Sequence, residues 1–195
     1  DAREIARLKK ELATVRAVLR SYVIEIDSLN RLNQNLTAEN TRIKGQYNEA
    51  TRQIEGLNTE RATLSEKVAI AAQLDATGIS MQLKNKRGKN TDKTSKCTNI
   101  QVNFTIAKNV TARNGQKTFY VRITTPAGTT LGGGASFNYQ NRSLEATMHK
   151  TVEYGGQEMA ITTYWNVSQS LLAGTYQVSI FADGNMIGSR SFTFK

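Results

Sequence analysis

The sequence predicts an α+β multidomain chain: a long N-terminal parallel coiled-coil helix over residues 1–76, then an all-β immunoglobulin-like sandwich over residues 77–195. Three observations predict it. Core-position residues recur on an unbroken 3-4 spacing from Ile5 to Ala71. From about residue 79 the apolar period changes to 2. The segments between the alternating runs are rich in Gly, Asn and Asp, with no helical spacing among them.

With Ile5 at heptad position a and Leu8 at d, the a series runs Ile5, Leu12, Leu19, Ile26, Asn33, Asn40, Tyr47, Ile54, Arg61, Val68. The d series runs Leu8, Val15, Tyr22, Leu29, Leu36, Ile43, Ala50, Leu57, Leu64, Ala71. A sustained 3.5-residue period winds helices into a left-handed coiled coil. At 1.5 Å per residue the rod would be roughly 110 Å long. It contains no proline, and Gly45 and Gly56 fall at the outward f and c positions. The predicted dimer core comprises Ile5, Leu8, Leu12, Val15, Leu19, Tyr22, Ile26, Leu29, Asn33, Leu36, Asn40, Ile43, Ile54, Leu57 and Leu64.

The polar core positions specify how the strands pair. An amide at a can pair with its symmetry mate in a parallel two-stranded coil, whereas a slipped or antiparallel partner leaves it unsatisfied. Asn33 and Asn40 occupy consecutive a positions. The g-to-e′ pairs Glu4–Lys9, Glu11–Arg16 and Glu39–Lys44 would attract across a parallel seam. The reading is a parallel homodimer. Val18, Val23 and Leu32, at flanking g and e positions, widen the apolar stripe and keep a trimer or larger bundle open. A long helix folded back on its own β domain is the competing reading. An unbroken heptad suits a straight partner better than a curved surface.

Helical periodicity stops at Ala76-Thr77-Gly78, with Gly78 as a candidate left-handed residue after the helix. Strands are predicted at 79–84, 98–107, 117–125, 135–139, 143–154, 157–166, 174–182 and 186–194. Ile100, Val102, Phe104 and Ile106 share one face, as do Phe119, Val121 and Ile123, and Tyr176, Val178, Ile180 and Ala182. "ADGNM" at 182–186 is a tight hairpin signal, because Asp-Gly tolerates positive φ. "TARNGQK" at 111–117 and "YGGQE" at 154–158 are further turns, and "LGGGAS" at 131–136 reads as a flexible connection.

Charge divides unevenly. Residues 1–75 hold 12 basic and 11 acidic side chains, and residues 76–195 hold 14 and 5. The stretch 84–122 carries ten cations and one acid, Asp92, which creates a field attractive to polyanions. Within it "KNKRGKNTDKTSK" offers Lys84, Lys86, Arg87, Lys89, Lys93 and Lys96 as candidate anion-binding residues; a solvated hairpin loop is the plainer reading. The chain has one Cys and one His, which excludes an intramolecular disulfide and a four-cysteine zinc site. His149 has no nucleophile or carboxylate at a recognised catalytic spacing, Cys97 reads as a small side chain at a strand start, and Trp165 reads as a core anchor. No catalytic set, cofactor or metal site is expected. No run of about 18 apolar residues is present, so no helical membrane span is expected.

The segments "KELATVRAVLRSYVIEIDSLNRLNQNL", "AAQLDATGIS", "NKRGK", "VNFTIAKN", "YVRITTP" and "AGTYQVSIFADGNMIGSRSFTFK" resemble a group of uncharacterised Bacteroidetes proteins. The resemblance covers nearly the whole chain. It implies a membrane-anchoring segment, a long coiled coil and a C-terminal β domain, in proteins sometimes labelled chromosome segregation or partition proteins. It also implies a cell-envelope location, on the periplasmic side, and carries over no known enzyme activity and no catalytic residues.

These readings converge on a non-enzymatic structural or adaptor protein. The rod makes a homodimer, and paired β domains bind a protein or an envelope polymer. One alternative is a cytoplasmic, DNA-associated partition protein gripping phosphates through residues 84–96; another is a carbohydrate-binding module, which an exposed Trp165 or Tyr platform would mark. The chain begins at Asp1 inside the repeat, so an anchor or targeting segment is expected upstream, and any membrane contact would run through it.

Overall fold

The computed structural model describes residues 1–133 and 135–195. The chain divides into two compact units, Asp1–Thr63 and Leu64–Lys195. The first lies wholly within helix α1, Ala2–Ala71. Exposed pairs along the helix surface support it: Asp27–Arg31 at 3.3 Å, Glu39–Arg42 at 3.5 Å, Glu49–Arg52 at 3.6 Å and Arg7–Glu11 at 3.7 Å. Each such exposed pair contributes only about 0.3 kcal/mol. Thr37 and Thr41 return their hydroxyls to the carbonyls of Asn33 and Thr37, so these poor helix formers are satisfied within the helix.

The helix ends at Ala71, earlier than the sequence suggests, and a side chain far along the chain accounts for the stop. Asn109 Nδ2 donates to the carbonyls of Ala71 and Gln73, both at 3.0 Å, and its Oδ1 accepts from the amides of Thr111 and Ala112, both at 2.9 Å. One amide thus satisfies two carbonyls left over at the helix end and folds its own loop. Gly78 does not follow the helix. It sits at φ +59° inside the first strand, where the pairing slips between Thr77 and Ser80, and serves as a β-bulge.

Among the described residues ten strands follow: β1 Ala76–Lys84, β2 Asn90–Thr91, β3 Asn99–Ile106, β4 Gly115–Thr124, β5 Ser136–Tyr139, β6 Arg142–Glu145, β7 Met148–Tyr154, β8 Met159–Asn166, β9 Gly174–Ala182 and β10 Asn185–Phe194. They form two four-stranded antiparallel sheets, β2-β1-β3-β8 and β10-β9-β4-β7, and a β5–β6 hairpin. The neighbours β1-β3-β8 and β10-β9-β4 reproduce the A-B-E and G-F-C orders of an immunoglobulin-like sandwich. Between the sheets lie Ile100, Val102, Phe104, Phe119, Val121, Ile123, Tyr154, Tyr176, Val178 and Ile180, each at most 2% exposed. Trp165 joins them, its indole N–H donating to the Gly132 carbonyl at 3.0 Å.

The predicted strand 143–154 is two strands. Thr147, at the break, is buried; its hydroxyl donates to the Leu131 carbonyl at 2.6 Å and accepts the Ile123 amide at 2.9 Å. The side chain takes over ladder bonds there, and the backbone turns out of the sheet. β6 then pairs with β5 across a turn at Gln140 and Asn141, both at positive φ. Phe137, Tyr139 and Leu144 of this hairpin pack on Tyr120 and Phe181 on the outward side of the second sheet. The 182–186 hairpin turns at Asp183 and Gly184, φ 50° and 76°, as its sequence predicts. Of the 131–136 connection, Leu131 is buried, and Gly134 lies outside the described residues.

Two bulges close one side of the sandwich. β10 slips against β9 between Met186 and Gly188, next to the β1 bulge. A Cβ on Gly188 would stand 2.8 Å from the Ala76 carbonyl oxygen and 2.9 Å from Ile79 Cδ1. Arg190 adds a hydrogen bond to the Ile79 carbonyl at 3.0 Å. Gly188→Ala should therefore cost about 2 kcal/mol through overpacking. Trp165 is the one tryptophan and is buried in the sandwich, so a lowered urea midpoint in its fluorescence reads this directly; an unchanged midpoint would mean the strands part freely here.

Candidate functional site

The heptad residues form the first candidate surface. Among the described residues none of α1 is buried. The apolar members of the predicted core are between 48% (Ile43) and 64% (Leu57) exposed, so about half of each side chain is already shielded by its own helix and half is left for a partner. Asn33 and Asn40 are exposed in line with them. The flanking Val18, Val23 and Leu32 are exposed too, which makes the stripe broadest over residues 18–32.

The second surface is the basic hairpin. β1 runs away from the end of α1 to Lys84, so the 84–98 segment lies at the far end of that strand, about 30 Å along it. The segment is folded. Asn85 Oδ1 accepts the amides of Arg87 and Lys89, Thr98 donates its amide to the Lys84 carbonyl, and a 3-10 turn spans Thr94–Lys96. The last residue clamps it: the Lys195 amide donates to the Asp92 carbonyl, and the Thr94 amide to the Lys195 carbonyl, both at 2.7 Å.

The structure separates the six candidate anion-binding residues. Lys86, Arg87 and Lys96 line one open cavity of about 450 Å³ with Asn85, Ser95, Cys97 and Thr98. Lys84 is half-buried at the end of β1, and Lys89 and Lys93 are exposed outside that lining. No carboxylate lines the cavity, and Asp92 faces Lys195 instead, at 3.8 Å. Cys97 is buried at the cavity floor, and its thiol reaches the Asn99 carbonyl at 3.3 Å. Burial is the largest effect and pushes this thiol above the usual range, against the smaller lowering effect of backbone hydrogen bonding at Lys84 and Asn99. A raised thiol is a poorer nucleophile at neutral pH.

One cation counted in the basic stretch does not contribute to an outward field. Lys117 points into the sandwich, 8% exposed, paired with Asp183 of the β9–β10 turn and 5.9 Å from the centre of the Tyr154 ring. Nothing in the local sequence distinguishes it from its solvated neighbours, since the partner is 66 residues away. Among the described residues no group of three or more His, Cys, Asp or Glu is placed to hold a metal ion. His149 is exposed across from Tyr120 on the second sheet.

Fold and surfaces define a class: a coiled-coil helix followed by an immunoglobulin-like β domain with a basic pole. The chain belongs to the family described as a domain of unknown function (DUF8428), matched over residues 74–195. Residues 1–62 match a coiled-coil region of unknown function (DUF8429). No curated protein matches the chain. Among solved structures it is similar to the Pseudomonas fluorescens alkylpurine DNA glycosylase AlkC bound to DNA containing an abasic site analog. That likeness has 11% identity and a TM-score of 0.38, over 63% of this chain and 30% of that one. It is also similar to a selenomethionine-labelled β-glucosidase from Kluyveromyces marxianus, at 13% identity and a TM-score of 0.35, over 60% of this chain and 15% of that one. The same enzyme in complex with glucose gives 12% identity and a TM-score of 0.32, over 60% and 14%. The chain spans less than a third of the length of each.

Cys97 supplies a direct check on the cavity. With the thiol pKa raised, its thiolate fraction is smaller than that of a free cysteine at any pH below the shifted value. Iodoacetamide labelling at pH 8 should be slow in the folded protein and fast in urea. Labelling as fast as that of a free cysteine would place the thiol on the surface.

Proposed function

We propose that the chain is a non-enzymatic structural or adaptor protein. Two copies zip in parallel through α1 and present paired β-sandwich domains for binding in the cell envelope. The observation that carries this reading is the row of half-exposed apolar side chains that keeps an unbroken 3-4 spacing along a 70-residue helix, with polar residues only at Asn33, Asn40 and Arg61. Burying the remaining half of each Leu or Ile against a second copy contributes about 1 kcal/mol. Asn33 and Asn40 favour a parallel, in-register partner at some loss of stability. Glu11 and Glu39 also pair within their own helix, with Arg7 and Arg42, so the g-to-e′ attractions select the partner more than they add stability.

Placement in the envelope is supported by the resemblance to Bacteroidetes envelope proteins. No helix among the described residues is long and apolar enough to cross a membrane. Presenting two domains on one rod raises the affinity for a repeating protein or polymer surface without any new contact. The raised Cys97 thiol at the floor of the basic cavity works against a nucleophilic role there. The ligand reading that fits this cavity is anion binding.

Sedimentation equilibrium at micromolar concentration should give twice the chain mass. A monomer there sinks the reading. Replacing both Asn33 and Asn40 by Leu should raise the thermal midpoint of the helix and broaden the oligomer distribution, because the paired amides restrict register and strand number.

The basic hairpin favours a second reading, a DNA-associated partition protein whose cations neutralise phosphates. Duplex DNA should then be retained at low salt. Replacing Lys86, Arg87 and Lys89 by Gln should lower the log–log salt slope by about 2 to 3. That reading fails if DNA is not retained or if the slope is unchanged.

A further inference from the structure

The outward face of the β1-β3-β8 sheet assembles a surface that no motif in the sequence marks. Strand pairing stacks three cross-strand rows on it. Ser80 lies beside Asn103, and Asn103 beside Thr162; Gln82 lies beside Gln101, and Gln101 beside Tyr164; Lys84 lies beside Asn99, and Asn99 beside Asn166. Each of these alternates with a buried core residue, so all nine side chains share the solvent face.

The chemistry of the face is unusual for a chain of net charge +10. Its nine positions hold amides, hydroxyls and one tyrosine, with Lys84 as the single charge, at one end. No carboxylate is among them. Lys150 of β7 reaches the β8 edge, where Nζ donates to the Thr162 carbonyl at 3.3 Å. The interior of the face is neutral.

Four of the five amides, those of Asn99, Asn166, Gln101 and Asn103, are also held in place. Asn99 Nδ2 donates to Asn166 Oδ1 at 2.8 Å, Gln101 Nε2 to Asn103 Oδ1 at 3.2 Å, and the Thr162 hydroxyl to Asn103 Oδ1 at 2.8 Å. Ordering these side chains beforehand reduces the entropy lost on binding. Amides and hydroxyls both donate and accept, which suits a ligand that does the same. Tyr164 is 61% exposed although it stands in the middle row, so a large flat ring is offered directly to solvent.

We propose that this face binds a neutral polysaccharide. A sugar ring stacks its C–H face on Tyr164, and neighbouring sugar hydroxyls bond to the Gln101 and Gln82 amides. With strands about 4.8 Å apart, the Tyr164–Gln101–Gln82 row spans roughly 10 Å, a reach of about a disaccharide. An anionic polymer would find cations only at the edges of the face, at Lys84 and Lys150, and would lose hydration over its neutral interior. The proposal deepens the adaptor reading by naming the envelope polymer as a neutral glycan. It does not need the homodimer, because each β domain carries the face.

The test is affinity electrophoresis of the full chain through acidic native gels containing laminarin, xylan, dextran or galactomannan, with heparin and polygalacturonate as acidic controls. At least one neutral polymer should retard the protein. Tyr164→Ala should weaken that retardation about tenfold in affinity, Tyr164→Phe should keep most of it, and Lys86→Gln with Arg87→Gln should leave it unchanged. Circular dichroism and Trp165 fluorescence confirm that each variant is folded. The proposal is overturned if no neutral polymer retards the chain, if only the acidic polymers do, or if Tyr164→Ala is retarded like the parent. Sedimentation of the same samples reads the dimer separately, so loss of one result does not imply loss of the other.

Discussion

A seventy-residue helix with none of its residues buried carries an apolar row that its own backbone shields only by half. This is the constraint on which the N-terminal part of the molecule depends. Helical propensity and a few weak surface ion pairs can keep the backbone helical, but they leave Leu8, Leu12, Leu29 and Leu36 partly in water. In the proposed dimer a second helix covers this row. The polar interruptions at Asn33 and Asn40 then matter more than the leucines around them, because apolar burial accepts many registers and an amide layer accepts few.

The β unit is organised by a different rule. Its two sheets share a largely apolar interior, with Lys117 and a few threonines as polar exceptions, and the candidate binding groups lie at the poles and outer faces. The strand order sends β1 away from the helix end, so the basic hairpin, the clamp by Lys195 and the cavity lined by Lys86, Arg87 and Lys96 all lie at the far end of that strand. At the near pole Asn109 stitches the last carbonyls of α1 to the β3–β4 loop. Two bulges, one at Gly78 and one at Gly188, let β1 and β10 approach where ordinary strands would clash. The same alternation that builds the core aligns a neutral amide face on one sheet and seats an aromatic-packed hairpin on the other.

Much of this was legible in the sequence, and the misreadings share a cause. The rod was legible because a 3.5-residue period is a local property repeated ten times. The principal strands were legible because their inward positions, such as Ile100 to Ile106, alternate without error. Gly78 was not, since a glycine after a helical run looks the same whether it ends the helix or bulges a strand. Strand 143–154 was read as continuous because Thr147 has good strand propensity; only its bonds to Leu131 and Ile123 show it turning the chain. Lys117 counted as one of ten cations until Asp183 and Tyr154 closed over it. Of the six basic candidates, spacing alone could not tell the three that line one cavity from the three that do not.

The sequence by itself determined the periods, hence the long helix, the sandwich and the apolar stripe along the helix, because each depends on neighbours within a few residues. Tertiary structure alone decided where α1 stops, which cations converge, and that Gln82, Gln101 and Tyr164 stand in one row. Those outcomes depend on strand register, which brings together residues as far apart as 82 and 164. No local pattern of side chains encodes such a pairing until both sheets have closed on a common core.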